Sequence, residues 1–170
     1  MIYWVVYFIS LYWYFNIIFE SIMAQNRFTD QKKRISDFYT EALVVCPKCE
    51  KKALARVDYE AQQARLFCAH CGYNKVTSTD MSFYGVTGRW KIPANHYFQA
   101  ELWLQYPFKD NVFYAYNMAH LEYLEQYISA TLREHKDRTH FTLLEKLPLF
   151  YHEAKNREPL LKLIAKLKNK

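Results

Sequence analysis

The spacing of hydrophobic residues changes several times along this chain. Residues 1–19 hold 17 hydrophobic residues, nine of them aromatic, and no side-chain charge. Ile35, Phe38, Tyr39 and Ala42 then recur at i, i+3, i+4 and i+7, which predicts a helix within residues 23–43, capped by Thr29 or Asp30. From residue 44 to 80 the pattern shortens and alternates, predicting strands over Ala53–Val57, Ala64–Phe67 and Lys75–Thr79. Residues 81–110 form an aromatic connector punctuated by Pro93 and Pro107, with Trp90, Tyr97, Phe98, Trp103, Tyr106 and Phe108 as its bulky surface. Residues 111–170 read as helical. Leu121, Leu124, Ile128 and Leu132 form the apolar stripe of a helix over residues 111–134, and Thr142 with Glu145 has capping-box spacing before Pro148. The last helix begins at Asn156 as N-cap and buries Leu160, Ile164 and Leu167.

The first segment stands apart. As a helix, residues 1–19 would extend about 28 Å, close to the apolar thickness of a bilayer. Tyr, Phe, Ile and Asn dominate the segment, whereas Leu and Ala are nearly missing. The expectation is that translation starts at Met23 and that residues 1–22 are a misassigned leader. The alternative is a membrane anchor, which Arg27, Lys32, Lys33 and Arg34 would orient with the rest of the chain in the cytoplasm. A signal peptide fits poorly, with no basic residue before the apolar run and no A-x-A-like site after it. The expected location is cytoplasmic, or, on the anchor reading, the membrane with the ribbon on its cytoplasmic side.

The strongest chemical signal is Cys46-Pro-Lys-Cys49, followed after 18 residues by Cys68-Ala-His-Cys71. Two C-x2-C turns on facing strands bring four thiolates around one ion, and this spacing is that of a zinc site. Four thiolates close the coordination shell, so the metal is expected to be structural, with no open position to activate water. Two redox dithiols or two disulfides are the competing readings, and iron would accept the same ligands as zinc. His70 lies between Cys68 and Cys71 and is expected to be a turn residue, since four thiolates already complete the shell. The implied fold class is α+β: a small β zinc ribbon and then a mainly helical C-terminal part.

The strings CPKC and CAHCGY resemble a zinc ribbon of the transcription-factor-IIB type. Gly72 fits that pattern, whereas Glu50 stands where the first turn often has glycine, a departure expected to change the turn. Downstream, LWLQ at 102–105, AYNMAHLEYLEQYISATLRE at 115–134, LP at 147–148 and AKNREPLLKLIAKLKNK resemble a bacterial family of small proteins named for that ribbon. The likeness covers residues 24–170. It implies a ribbon plus a helical C-terminal part, and it carries over no catalytic residue.

Composition narrows the function further. Three glycines, Gly72, Gly85 and Gly88, are too few and too scattered for a dinucleotide fingerprint or a P-loop. The net charge is +6. Residues 41–92 hold eight Lys/Arg and five Asp/Glu, but four thiolates with a divalent zinc add a formal −2 and leave this region only slightly basic. Residues 145–170 hold seven Lys/Arg and three Asp/Glu, a pattern that a solvated helix face explains. Lys51, Lys52, Arg56, Arg65 and Lys75 are the candidates for one nucleic-acid-binding ribbon face. The connector aromatics are expected to be core before they are stacking platforms for bases, and His120 is expected to be a structural histidine. His152-Glu153 lacks the second histidine of an H-E-x-x-H metalloprotease, and no nucleophile motif appears, so an enzyme is the weakest reading. The expected function is a structural-zinc module associated with nucleic acid as a transcription or replication accessory. A protein-binding adaptor is the alternative, and no small-molecule substrate is inferred.

Overall fold

A computed structural model describes residues 27–134 and 141–170. The proposed leader and the Met23 start lie outside the described residues. No helix among the described residues is long and apolar enough to cross a membrane. The described residues form a mixed α+β protein in which small antiparallel sheets precede and flank two α-helices.

The central sheet is a four-stranded antiparallel meander of β2 (Glu41–Val45), β3 (Lys52–Asp58), β4 (Gln63–Phe67) and β5 (Asn74–Ser78), in that spatial order. Alternation decides its faces. Ala42, Val44, Ala53, Ala55, Val57, Ala64 and Leu66 are buried on one side, while Lys52, Arg56, Gln63 and Arg65 point away. The β3–β4 turn is held by Asp58, whose Oδ1 accepts the N–H groups of Glu60 and Ala61 at 2.9 Å each. The three strands expected from the pattern are present, the first two extended by one or two residues and the third shifted by one, to Asn74–Ser78.

The helix expected within residues 23–43 is not formed. Residues 27–29 form β1 (Arg27–Thr29), Ile35–Asp37 make one 3-10 turn, and Ala42 lies inside β2. Phe38 and Ala42 are buried in both readings, so the apolar spacing was met by a turn followed by a strand. The deciding residues are Leu43, Val44 and Val45, whose backbone pairs with Lys52, Ala53 and Leu54.

The hairpin β6 (Asp80–Phe83) and β7 (Val86–Arg89) comes after the meander. The connector then lies along the outer edge of β2: Val45 donates to Glu101 O at 2.8 Å, Trp103 donates to Leu43 O at 2.9 Å, and Val44 bridges Leu102. Trp103 is half-buried at this junction, whereas Trp90 is exposed. Tyr97 and Phe108 enter the core.

The long helix expected over residues 111–134 is shorter than its pattern suggests. Residues 104–115 form a second hairpin, β8 (Leu104–Phe108) and β9 (Asn111–Ala115), turning at Lys109 with φ 53°. The helix itself is α1 (Met118–Ser129), and Leu132 falls in the short strand β10 (Leu132–Glu134), which pairs in parallel with β1. Leu121, Leu124 and Ile128 are fully buried as the stripe requires. Arg133 stops the helix: its guanidinium donates to the carbonyls of Tyr127, Ile128 and His152 and lies 4.4 Å from the Tyr127 ring centre.

Thr142 and Glu145 form the expected reciprocal capping box, although they cap a 3-10 turn at Leu144–Lys146 rather than an α-helix. The last helix, α2 (Arg157–Lys168), packs against α1 with Leu160, Leu163, Ile164 and Leu167 buried. Asn156 stands at its N-cap position as expected, but its side chain makes no capping bond. The chain enters α2 directly from a 3-10 turn at Ala154–Asn156, and the buried Asn156 amide instead joins Phe150 O, Glu153 Oε2 and Lys109 Nζ.

Candidate metal centre and the ribbon face

Both cysteine pairs sit at one end of the meander, the first between β2 and β3 and the second between β4 and β5. The two turns are built alike. Cys46 donates its N–H to Lys51 O and Cys68 to Tyr73 O, both at 2.8 Å; Glu50 N–H closes on Cys46 O and Gly72 N–H on Cys68 O, both at 2.9 Å. Each turn needs a residue in the left-handed region, and Glu50 (φ 59°) takes it as Gly72 (φ 71°) does. The departure at Glu50 therefore leaves the turn unchanged, contrary to the expectation.

All four sulfurs lie within 4.8 Å of one another, with Cys46 Sγ 3.7 Å from Cys71 Sγ and Cys49 Sγ 3.7 Å from Cys68 Sγ. A tetrahedron with metal–sulfur bonds of about 2.3 Å has edges of about 3.8 Å, so the donor set fits a closed four-thiolate site. Cys46 and Cys68 are buried, and Cys49 and Cys71 partly so. His70 is exposed and outside the cluster. The Lys48 N–H points at Cys46 Sγ from 3.4 Å.

Thiol acidity shows why a cation belongs here. Burial works to raise the Cys46 thiol, but the N–H groups of Lys48 and Cys49 and the adjacent thiols outweigh it and bring Cys46 to about 7. At Cys49 the Lys51 N–H pulls downward, yet desolvation and the three other sulfurs hold the thiol up at about 12. The neighbouring sulfurs thus favour ionised Cys46 and oppose ionised Cys49, and a metal cation between them removes the conflict. The four cysteines are thus positioned to hold a metal ion.

The structure divides the five candidate cations. Lys52, Arg56 and Arg65 share the solvent face of the meander, with Arg56 directly opposite Arg65. Lys75 is in register with Leu66 and so belongs to the opposite face, at the sheet edge. Lys51 is exposed at the end of the first cysteine turn. Arg56 is paired with Glu41 at 2.6 Å, and Arg65 donates to Asn74 Oδ1 at 2.9 Å.

The same face carries apolar side chains where alternation calls for polar ones. Phe67 is 42% exposed, opposite Leu54 and Asn74, and the Arg65 guanidinium lies 5.6 Å from its ring centre. Leu54, Arg56, Arg65 and Phe67 surround a shallow depression of about 330 Å³. Phe67 was not singled out from the sequence, although Leu54, Phe67 and Val76, each at a solvent-facing position of its strand, were a readable signal.

Five of the seven C-terminal cations are occupied within the protein. Lys162 pairs with Glu158, Lys168 with Glu125 and Lys155 with Glu153, while Lys166 and Lys170 lie over the Tyr106 and Trp103 rings. His152 is structural too, bonding Tyr127 OH at 2.6 Å and Leu147 O at 3.1 Å. Compared with family models, curated proteins and solved structures, the chain matches none.

Proposed function

We propose that this chain is a zinc-ribbon protein of the transcription-factor-IIB type, whose four-cysteine centre folds a β module that binds nucleic acid, single strands in preference. Zinc is the reading that suits a closed tetrahedral set of four thiolates with a structural role. The observation that carries the nucleic-acid reading is Phe67, exposed on the ribbon's outer face beside Arg65, with Arg56 and Lys52 on the adjoining strand. An exposed aromatic ring gives a base a stacking surface worth about 1–3 kcal/mol, and flanking cations meet phosphates without reading sequence.

The test is fluorescence anisotropy of the zinc-loaded chain with labelled single- and double-stranded DNA and RNA over a salt series. Binding should weaken as salt rises, and Phe67→Ala should cost about tenfold or more on single strands while Arg65→Gln shallows the salt dependence. Undetectable binding at low salt, or affinity indifferent to salt, would overturn the reading.

The adaptor reading is supported by a different surface. At the tip of the β6–β7 hairpin Tyr84 is fully exposed, with Val86 on the following strand and Trp90 beyond it also exposed. Its signature is a stoichiometric protein partner from the native host that is lost in a Tyr84→Ser, Val86→Ser variant whose nucleic-acid affinity is unchanged.

A further inference from the structure

A cavity of about 400 Å³ lies away from the ribbon, among the 3-10 turn at Ile35–Asp37, strand β9, helix α1 and residues 141–151. Its volume is in the range of small-molecule sites. The walls are largely apolar, including Ile35, Leu124, Leu143 and Tyr151. Among the described residues of the lining, Arg34 and Lys146 are the charged ones, and none is a carboxylate.

His120 also lines this space and is only 1% exposed. Its ring is sandwiched between Phe38 and Tyr116, with centroids 4.8 and 5.7 Å away. Nδ1 accepts the Tyr116 N–H at 3.2 Å, which leaves the proton of the neutral ring on Nε2. Nε2 has no hydrogen-bond partner among the described residues. An unmet buried donor costs about 1–3 kcal/mol, so a ligand atom that accepts from it has a built-in advantage. A chamber whose described lining is largely apolar, with two cations, no carboxylate and an unmet donor, complements an amphipathic anion.

We propose that this cavity binds a small amphipathic anion, an aromatic or branched aliphatic carboxylate or its sulfonate analogue. The apolar body fills the chamber, the anionic group meets Arg34 and Lys146, and a polar acceptor takes the His120 Nε2–H. The site is separate from the ribbon face, and none of its lining comes from residues 44–80.

The probes are anilinonaphthalene sulfonate and its uncharged counterpart phenylnaphthylamine, titrated into the zinc-loaded full chain. The sulfonate should bind saturably at one per chain and about tenfold tighter than the neutral compound. The double variant Arg34→Gln, Lys146→Gln should lose that preference while keeping the thermal midpoint and the affinity for phenylnaphthylamine. An Arg56→Gln, Arg65→Gln variant should bind the sulfonate as the parent does, and the His120 Nε2 resonance should shift on binding. Equal affinity for the two probes, a preference that survives loss of Arg34 and Lys146, or an unmoved His120 signal would each overturn the proposal.

Discussion

Glu50 and Gly72 occupy the same place in the two cysteine turns: each has a positive φ, 59° and 71°, and each donates its N–H to the first cysteine's carbonyl at 2.9 Å. A side chain at Glu50 raises the energy of that conformation by about 1 kcal/mol relative to glycine. Glu50→Gly should therefore stabilise the metallated protein by up to about 1 kcal/mol in urea melts, with metal content unchanged. No atom lies within 4 Å of a Cβ built at Gly72, so Gly72→Ala should cost a similar amount through φ alone.

Metal removal should melt the meander. The chelated protein is expected to lose strand signal in circular dichroism, and Cys46→Ser should reproduce that loss with less than one metal bound per chain. Metal affinity should fall as pH drops, because protons compete for Cys49 already above neutrality and for Cys46 as well below about 7. Chelator competition across pH reads this directly, and a Cys46→Ser chain that folds without metal would refute the structural role.

Asn117 ties the helical part to the start of the meander. Its Oδ1 accepts the His120 N–H at 2.9 Å and caps α1, while Nδ2 donates to Phe38 O at 2.8 Å and Glu41 O at 2.9 Å. Asn117→Ala should destabilise the chain by about 2–3 kcal/mol. Asn117→Asp keeps the cap but sets a carboxylate against two carbonyls, so it should not rescue stability. Urea unfolding of the two variants separates the cap from the tether.

His120 should make stability depend on pH. Burial lowers its pKa to about 4, against about 6.5 for an exposed histidine. Between these values the unfolded chain binds the additional proton, so stability is complete above about 6.5 and is lost as pH falls toward 4. The loss is on the order of 3 kcal/mol. His120→Gln should flatten this slope; comparing it with the parent at each pH cancels the metal centre that both share.

Some of this protein was legible in its residues because the relevant physics is local. The C-x2-C pairs place two thiols each on a tight turn, so the four-cysteine cluster followed from spacing alone. The short β-like runs Ala53–Val57 and Ala64–Phe67 likewise marked β3 and β4, and the i, i+3, i+4 stripe marked the buried side of α1. The stretch around Ile35–Ala42 has helical spacing, which a 3-10 turn running into a strand also satisfies. Pairing of Leu43–Val45 with β3 and the Phe38–His120 stack decided against the helix.

Composition displayed the cations, but not which of them share a face. Cross-strand register set Arg56 against Arg65 and turned Lys75 to the other side, and the C-terminal lysines found carboxylates and aromatic rings. The sequence by itself determined the four-cysteine cluster, strands β3 to β5 and the apolar stripes, because turns and periodicity act over a few residues. Tertiary structure alone decided the exposure of Phe67, the tether at Asn117 and the cavity around His120, because each depends on contacts between segments distant in the chain.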